Sequence, residues 1–247
     1  MIATPSSMTS AGAVAAAISA CLASGSAVDA KEFSTAEIRE VSKNYADCVV
    51  KRRYELARNA VVSNANNGKI AKDYRKLIIG DCLVKANKGN GARMKFGGDH
   101  YRYALAEALI RHDFPEPSLT TVEGLAKLTH LPTPTSPPDV TGYKKSKAEK
   151  VLAAYQSTKL ITSLSQYGEC VVRLAPVDSH ALLMTDTDTA GEAAAFAKLQ
   201  PTLGDCLAGD GTVKFGKSVL RGSIAINYYR LAYAASHPVA LTAEAQN

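Results

Sequence analysis

The sequence contains no tryptophan and only 5 phenylalanines in 247 residues, so its aromatic character rests on 11 tyrosines. Beyond the first thirty residues no apolar run approaches the roughly 20 residues needed to cross a bilayer as a helix. No C-x-x-C is present, which removes the common redox motif, and no two cysteines stand two to four residues apart, as structural zinc sites usually require. No two of His100, His112, His130, His180 and His237 are spaced i and i+4 to grip a metal from one helix face. The nucleophile elbow G-x-S-x-G, the phosphate-binding P-loop and the dinucleotide fingerprint G-x-G-x-x-G are all missing. No cofactor is therefore indicated, and no residue set is marked out as a catalytic centre.

What remains is an ordinary globular composition, 46% hydrophobic and 21% charged. Its abundant alanine leans towards helix. The length suits one large domain or two small ones.

Residues 1–30 read as an export signal. "AGAVAAAISACLASGSAV" is uncharged and built from small apolar residues, and "VDA" at Val28–Ala30 has the small-x-small character of a cleavage site. No basic residue precedes Lys31, so the positively charged start of such signals is missing. A second reading is available at Ile18–Cys21, where "ISAC" resembles a lipobox that would place a lipid on Cys21 and anchor the protein to a membrane.

The rest of the chain is written twice. "YADCVVKR" from Tyr45 meets "YGECVVRL" from Tyr167. "DYRKLIIGDCL" (73–83) meets "AFAKLQPTLGDCL" (195–207). "MKFGGDHYRYALAEALIR" (94–111) meets "VKFGKSVLRGSIAINYYR" (213–230). Three blocks in the same order imply an internal duplication. The fold expected is all-α, two homologous three-helix units, 31–113 and 146–236. A Pro-rich linker at 114–145 joins them and a tail covers 237–247.

Local signals agree with helices. "STAE" (Ser34–Glu37) and "TAGE" (Thr189–Glu192) are capping boxes, and Asp99 is placed to cap the third helix of the first unit. Ile38, Val41, Tyr45, Val49, Leu56 and Ala60 follow a helical period. Pro176 should end the long helix of the second unit, and Pro201 should kink or restart the next. Within the linker, "VEGLAKL" is expected to dock as a helical turn, and "LPTPTSPPD" to run extended and mobile. Short units bury little core alone, so the two are expected to pack on each other.

Setting Cys21 aside, four cysteines allow three pairings. A unit stapled before it was copied must pair within itself, giving Cys48–Cys82 and Cys170–Cys206, with separations of 34 and 36. Each bond would stabilise the fold by roughly 3–4 kcal/mol on the chain-entropy view, and an exported protein permits it. The rival is a four-cysteine metal site, which the wide spacings disfavour.

Acids precede each cysteine: Asp47 and Glu169 before the first, Asp81 and Asp205 before the second. Arg102 and Arg221 recur in the third helix, and Lys51/Arg173 and Phe96/Phe215 also match. The expectation is structural: Arg102 forks onto Asp47 or Asp81, and Arg221 onto Glu169 or Asp205, locking the helices.

Charge is lopsided. Residues 31–113 hold 17 Lys and Arg against 10 Asp and Glu, whereas 114–247 hold 12 of each. The basic first unit suits an anionic envelope polymer or a lipid surface, unless its charges are only a solvated face. "GNGARMKFGG" (89–98) can offer backbone N–H groups to an anion, but a connector is the simpler reading. "KNYADCVVKRRYELAR" (43–58) mixes tyrosines and bases on opposite helix faces, so no specific nucleic-acid signal emerges.

The doubled Y-G-E-C-V-V-R … L-G-D-C-L … R-G-x-x-A pattern resembles a group of exported alphaproteobacterial proteins with no assigned activity. The resemblance is best over 167–230. The first copy departs from it, with Ala46 for the glycine and Tyr103 for the glycine after arginine. It implies export and duplication and supplies no catalytic residue.

The functional expectation is an exported protein, periplasmic or secreted, acting as a non-enzymatic binding or structural envelope component. The alternatives are an enzyme working on an envelope polymer and a lipoprotein held through Cys21.

Overall fold

The computed structural model describes residues 34–89, 99–207 and 216–238. The leader with Cys21, the glycine-rich stretch from 90 to 98, Phe96, Phe215 and residues 239–247 lie outside the described residues. Within them every regular element is helical. In chain order these are α1 (Thr35–Val62), α2 (Asn67–Asp73), a 3-10 turn at Arg75–Leu77, α3 (Gly80–Ala86), α4 (His100–Asp113), α5 (Lys145–Leu174), α6 (Pro176–Leu183), α7 (Ala190–Asp205) and α8 (Lys217–Ser236).

The expected three-helix plan is present in each half, as α1, α3, α4 and as α5, α7, α8, with α2 and α6 in addition. The helix expected from Ile70 into "GDCLVK" is interrupted. Ile78 and Ile79 are extended at the cap positions, and the break is held from outside. Tyr45 and Tyr101 both donate through Oη to the Leu77 carbonyl, at 3.4 and 2.6 Å, and Ile79 N–H donates to Tyr45 Oη at 3.1 Å. Tyr167 makes the matching contact, donating to the Leu203 carbonyl at 2.7 Å.

Pro176 ends α5 and, at the first turn of α6, starts another helix that the pattern did not announce. Pro201 sits inside α7, which continues through it to Asp205. The Ser34 capping box is complete: Ser34 Oγ accepts from Glu37 N–H, and Ser34 N–H donates to the Glu37 carboxylate at 2.9 Å. At Thr189 only the hydroxyl half forms, accepting from Glu192 N–H at 3.2 Å. Asp99 stands at the N-cap of α4 but makes no capping bond.

Helix packing is arranged about α4 and α8. These two lie against each other, α1 covers α4, and α5 covers α8. The expected packing of the two halves is thus present. Helix α8 is enclosed on several sides, buried without interruption from Leu220 through Ala232, and the polar groups it carries inward, Arg221, Asn227 and Arg230, are hydrogen-bonded there. Two glycines permit the closest approaches. A Cβ on Gly222 would fall 2.3 Å from the Tyr103 ring, and one on Gly168 would fall 2.6 Å from the Ser223 carbonyl oxygen. Tyr103 and Gly222 occupy the same place in the two matching stretches, so residues at equivalent places meet where the halves cross.

The cysteines are bonded as Cys48–Cys82 and Cys170–Cys206, with Cα atoms 5.6 and 5.8 Å apart. Each bond ties the long helix of its half to α3 or to the end of α7. The Pro-rich connection contributes to the core, since Leu119 and Leu128 are buried in it. "VEGLAKL" forms a turn rather than a helix, with Gly124 at φ +78°. Among the described residues, no helix is long and apolar enough to cross a membrane.

Candidate functional site

Arg102 and Arg221 are both buried, each 1% exposed, and both face carboxylates other than the ones expected. Arg102 pairs with Asp99 at 3.3 Å and donates to the Asn64 carbonyl at 3.4 Å. Asp47 instead pairs with Arg111 at 2.6 Å, about 13 Å further along α4 at 1.5 Å per residue, beyond the reach of Arg102. Asp81 is exposed and meets Arg52 at 3.3 Å. Asp205 is exposed at the end of α7. Glu169 turns towards the connection rather than towards Arg221.

Arg221 uses its whole fork. Nε donates to Glu107 at 3.1 Å, Nη1 to Glu192 at 3.0 Å and Thr185 Oγ1 at 2.9 Å, and Nη2 to the Leu183 and Thr185 carbonyls. Glu192 also receives Arg39 at 2.6 Å and Asp188 N–H at 2.9 Å, which is why it does not complete its capping box. Arg39 reaches on to Asp188 at 2.6 Å. On the other side Glu107 lies 3.9 Å from Arg111, which holds Asp47, which Lys43 approaches at 3.4 Å. The charges therefore alternate from Lys43 on α1, through α4, α8 and α7, back to Arg39 on α1. Burial pushes the Glu192 carboxyl up, but the bonds from Arg39 and Asp188 N–H and the charge of Arg221 outweigh it and hold the group below its usual range. Four helices are locked by this ring. Sequence reasoning missed Glu107, Arg111, Arg39 and Asp188, and the one signal for Glu192 was its capping-box position.

Glu169 is the centre of a second cluster. It accepts from Leu128 N–H at 3.0 Å, from Arg173 Nε at 2.7 Å and from His130 Nε2 at 2.6 Å. Arg173 also donates to the Leu125 and Ala126 carbonyls, and Arg230 Nη2 to the Thr129 carbonyl at 3.0 Å. Three side chains of α5 and α8 thus grip the backbone of 125–129 as a strap. Burial opposes ionisation of Glu169, yet the donated bonds hold its carboxyl down to about 2. His130 Nδ1 meets Ser165 Oγ at 2.9 Å. Serine, histidine and carboxylate are in line, but Ser165 is 5% exposed on a packed helix and Glu169 already serves three donors. The arrangement is a latch for the strap.

A groove runs beside the Cys48–Cys82 bond, lined by Asn44, Asp47, Cys48 and Lys51 of α1 and by Lys85, Ala86 and Lys88 of α3 and its end. Lys88 approaches Glu40 at 3.7 Å. Lys51 and Lys85 are exposed, and neither has an ion-pair partner among the described residues. The groove thus sets three lysines beside Cys48 and Ala86, with Asn44 and Asp47 on the α1 side. This suits binding of an anion-bearing group. Among the described residues, no cluster of His, Cys, Asp and Glu is suited to hold a metal ion.

No protein-family model, no curated protein and no solved structure matches this chain.

Proposed function

We propose that this protein is an exported, non-enzymatic binding component that recognises an anionic partner through the groove between α1 and α3. The observation that carries the reading is the trio Lys51, Lys85 and Lys88 around a concave, disulfide-braced surface, two of the three without a carboxylate partner among the described residues. Closely spaced ammonium groups repel one another, and an anion relieves that repulsion. Two disulfides suit an oxidising compartment such as a periplasm or the extracellular space. In this reading the duplicated plan supplies a rigid body, and one half of it has kept an open ligand face.

The test is titration calorimetry of the oxidised protein with polyglutamate and with polygalacturonate, at low and moderate salt. At least one should bind with an affinity that falls as salt rises, and a Lys51→Glu/Lys85→Glu variant with unchanged melting should lose it. Binding that survives this substitution would move the site elsewhere. Intact mass of protein from its native host reports the compartment: a mature chain starting at Lys31 with both bonds formed fits export, and free thiols contradict it.

A further inference from the structure

The open groove and the strap latch are built from residues at matching places. Asp47 and Glu169 each precede the half-cystine of the long helix. Lys51 and Arg173 each follow it by one turn. Arg111 and Arg230 each end the matching stretches of α4 and α8. In the second half these three residues hold a stretch of irregular backbone: Glu169 accepts the Leu128 N–H, Arg173 donates to the Leu125 and Ala126 carbonyls, and Arg230 donates to the Thr129 carbonyl. In the first half Arg111 rests on Asp47, Lys51 has no ion-pair partner among the described residues, and Asp47 and Lys51 line the groove beside α3.

From this correspondence we infer that the first-half groove takes an extended, acidic polypeptide segment of a partner protein, gripped through its backbone as the strap is gripped in the second half. Asp47 accepts a backbone N–H of the segment and Lys51 donates to its carbonyls. Lys85 and Lys88 face its carboxylate side chains. This is strand-like recognition in which main-chain bonds supply affinity and flanking charges supply selectivity. A second copy of this chain is the poorer occupant. Its own strap carries Lys127, which would enter a site already lined by three lysines. The inference rests on the anion-binding reading above and narrows it to a peptide.

The experiment uses the full oxidised protein and a fluorescein-labelled peptide with the strap sequence 125–131 carrying Lys127→Glu. A second peptide is identical except for an N-methyl group on the amide that corresponds to Leu128. Fluorescence anisotropy should show binding of the first peptide. N-methylation should weaken it at least tenfold, since it removes the donor that Asp47 accepts, and Lys51→Ala should weaken it at least fivefold. Lys51 is exposed, so that variant should melt with the parent. Equal binding of the two peptides overturns the backbone grip. Binding of polygalacturonate, which has no amide, without binding of either peptide overturns this inference while leaving the anion-binding reading intact. Failure of peptides and polyanions alike defeats both. Concentration-dependent dimerisation abolished by Lys51→Ala would assign the groove to a second copy and also overturn the inference.

Discussion

Arg102 and Arg221 stand at the same point of the two matching helices and are equally buried, yet they are provided for very differently. Arg221 engages two carboxylates, a hydroxyl and two carbonyls. Among the described residues Arg102 meets one carboxylate, Asp99, the Asn64 carbonyl through one long bond, and the face of Tyr103 at 5.6 Å. The acids before the first cysteine of each half divide the same way, Glu169 saturated and Asp47 half-exposed, while Asp81 and Asp205 are both exposed. The second half spends its polar groups on closing itself, whereas the first leaves some of them turned outward. The same residue types at the same positions can therefore lock a fold in one half and present a surface in the other.

The largest expected contrast is between the two arginines. Arg221→Met strands Glu107 and Glu192, and the loss should be about 3–5 kcal/mol, read as a drop in the urea midpoint. The two disulfides should behave alike instead, because they close loops of similar length. Replacing either pair by serine should cost about 3–4 kcal/mol, and clearly unequal losses would mean that the halves differ in unfolded-state structure.

The Glu169 latch should show in acid. Its folded pKa, about 2, lies below the ordinary 4.5, so its contribution is complete above pH 4.5 and is lost as pH falls towards 2. The amount is about 3 kcal/mol. Glu169→Gln should flatten that part of the stability profile, and an unchanged acid limb would show that the latch is not formed.

A smaller effect is expected where the halves cross. Gly222→Ala should cost about 1–3 kcal/mol by overpacking on Tyr103, and adding Tyr103→Ala should relieve it, measured as a thermodynamic cycle. Arg102→Met should cost a comparable amount, about 1–3 kcal/mol, since it leaves one buried carboxylate, Asp99, without its cation where Arg221→Met strands two. If it matches Arg221→Met, the contrast between the two arginines fails.

Periodicity, capping boxes and the doubled motif revealed the helices, and the copying argument selected the cysteine pairing. Those signals are local or rely on two points in the chain. The partners of Arg102 and Arg221 were not legible, because choosing among carboxylates requires knowing how far along α4 and α8 each one falls. Glu192 looked like a cap until Arg39 and Arg221, from distant helices, claimed its carboxylate. The break between α2 and α3 was hidden for a similar reason, since Tyr45 and Tyr101 hold it from other helices. The groove was visible only as excess basic charge over 31–113, and its location beside Cys48 became clear when α3 was placed against α1.

The most direct test of the account is a residue-resolved map of where the acidic strap-like peptide touches the protein, from backbone amide shifts of the labelled, oxidised chain. The account predicts that the largest changes cluster at Asn44, Asp47, Lys51, Lys85 and Lys88, with the residues around Glu169 and Arg173 unaffected. Changes spread evenly over the basic surface, or centred on α5, would contradict it.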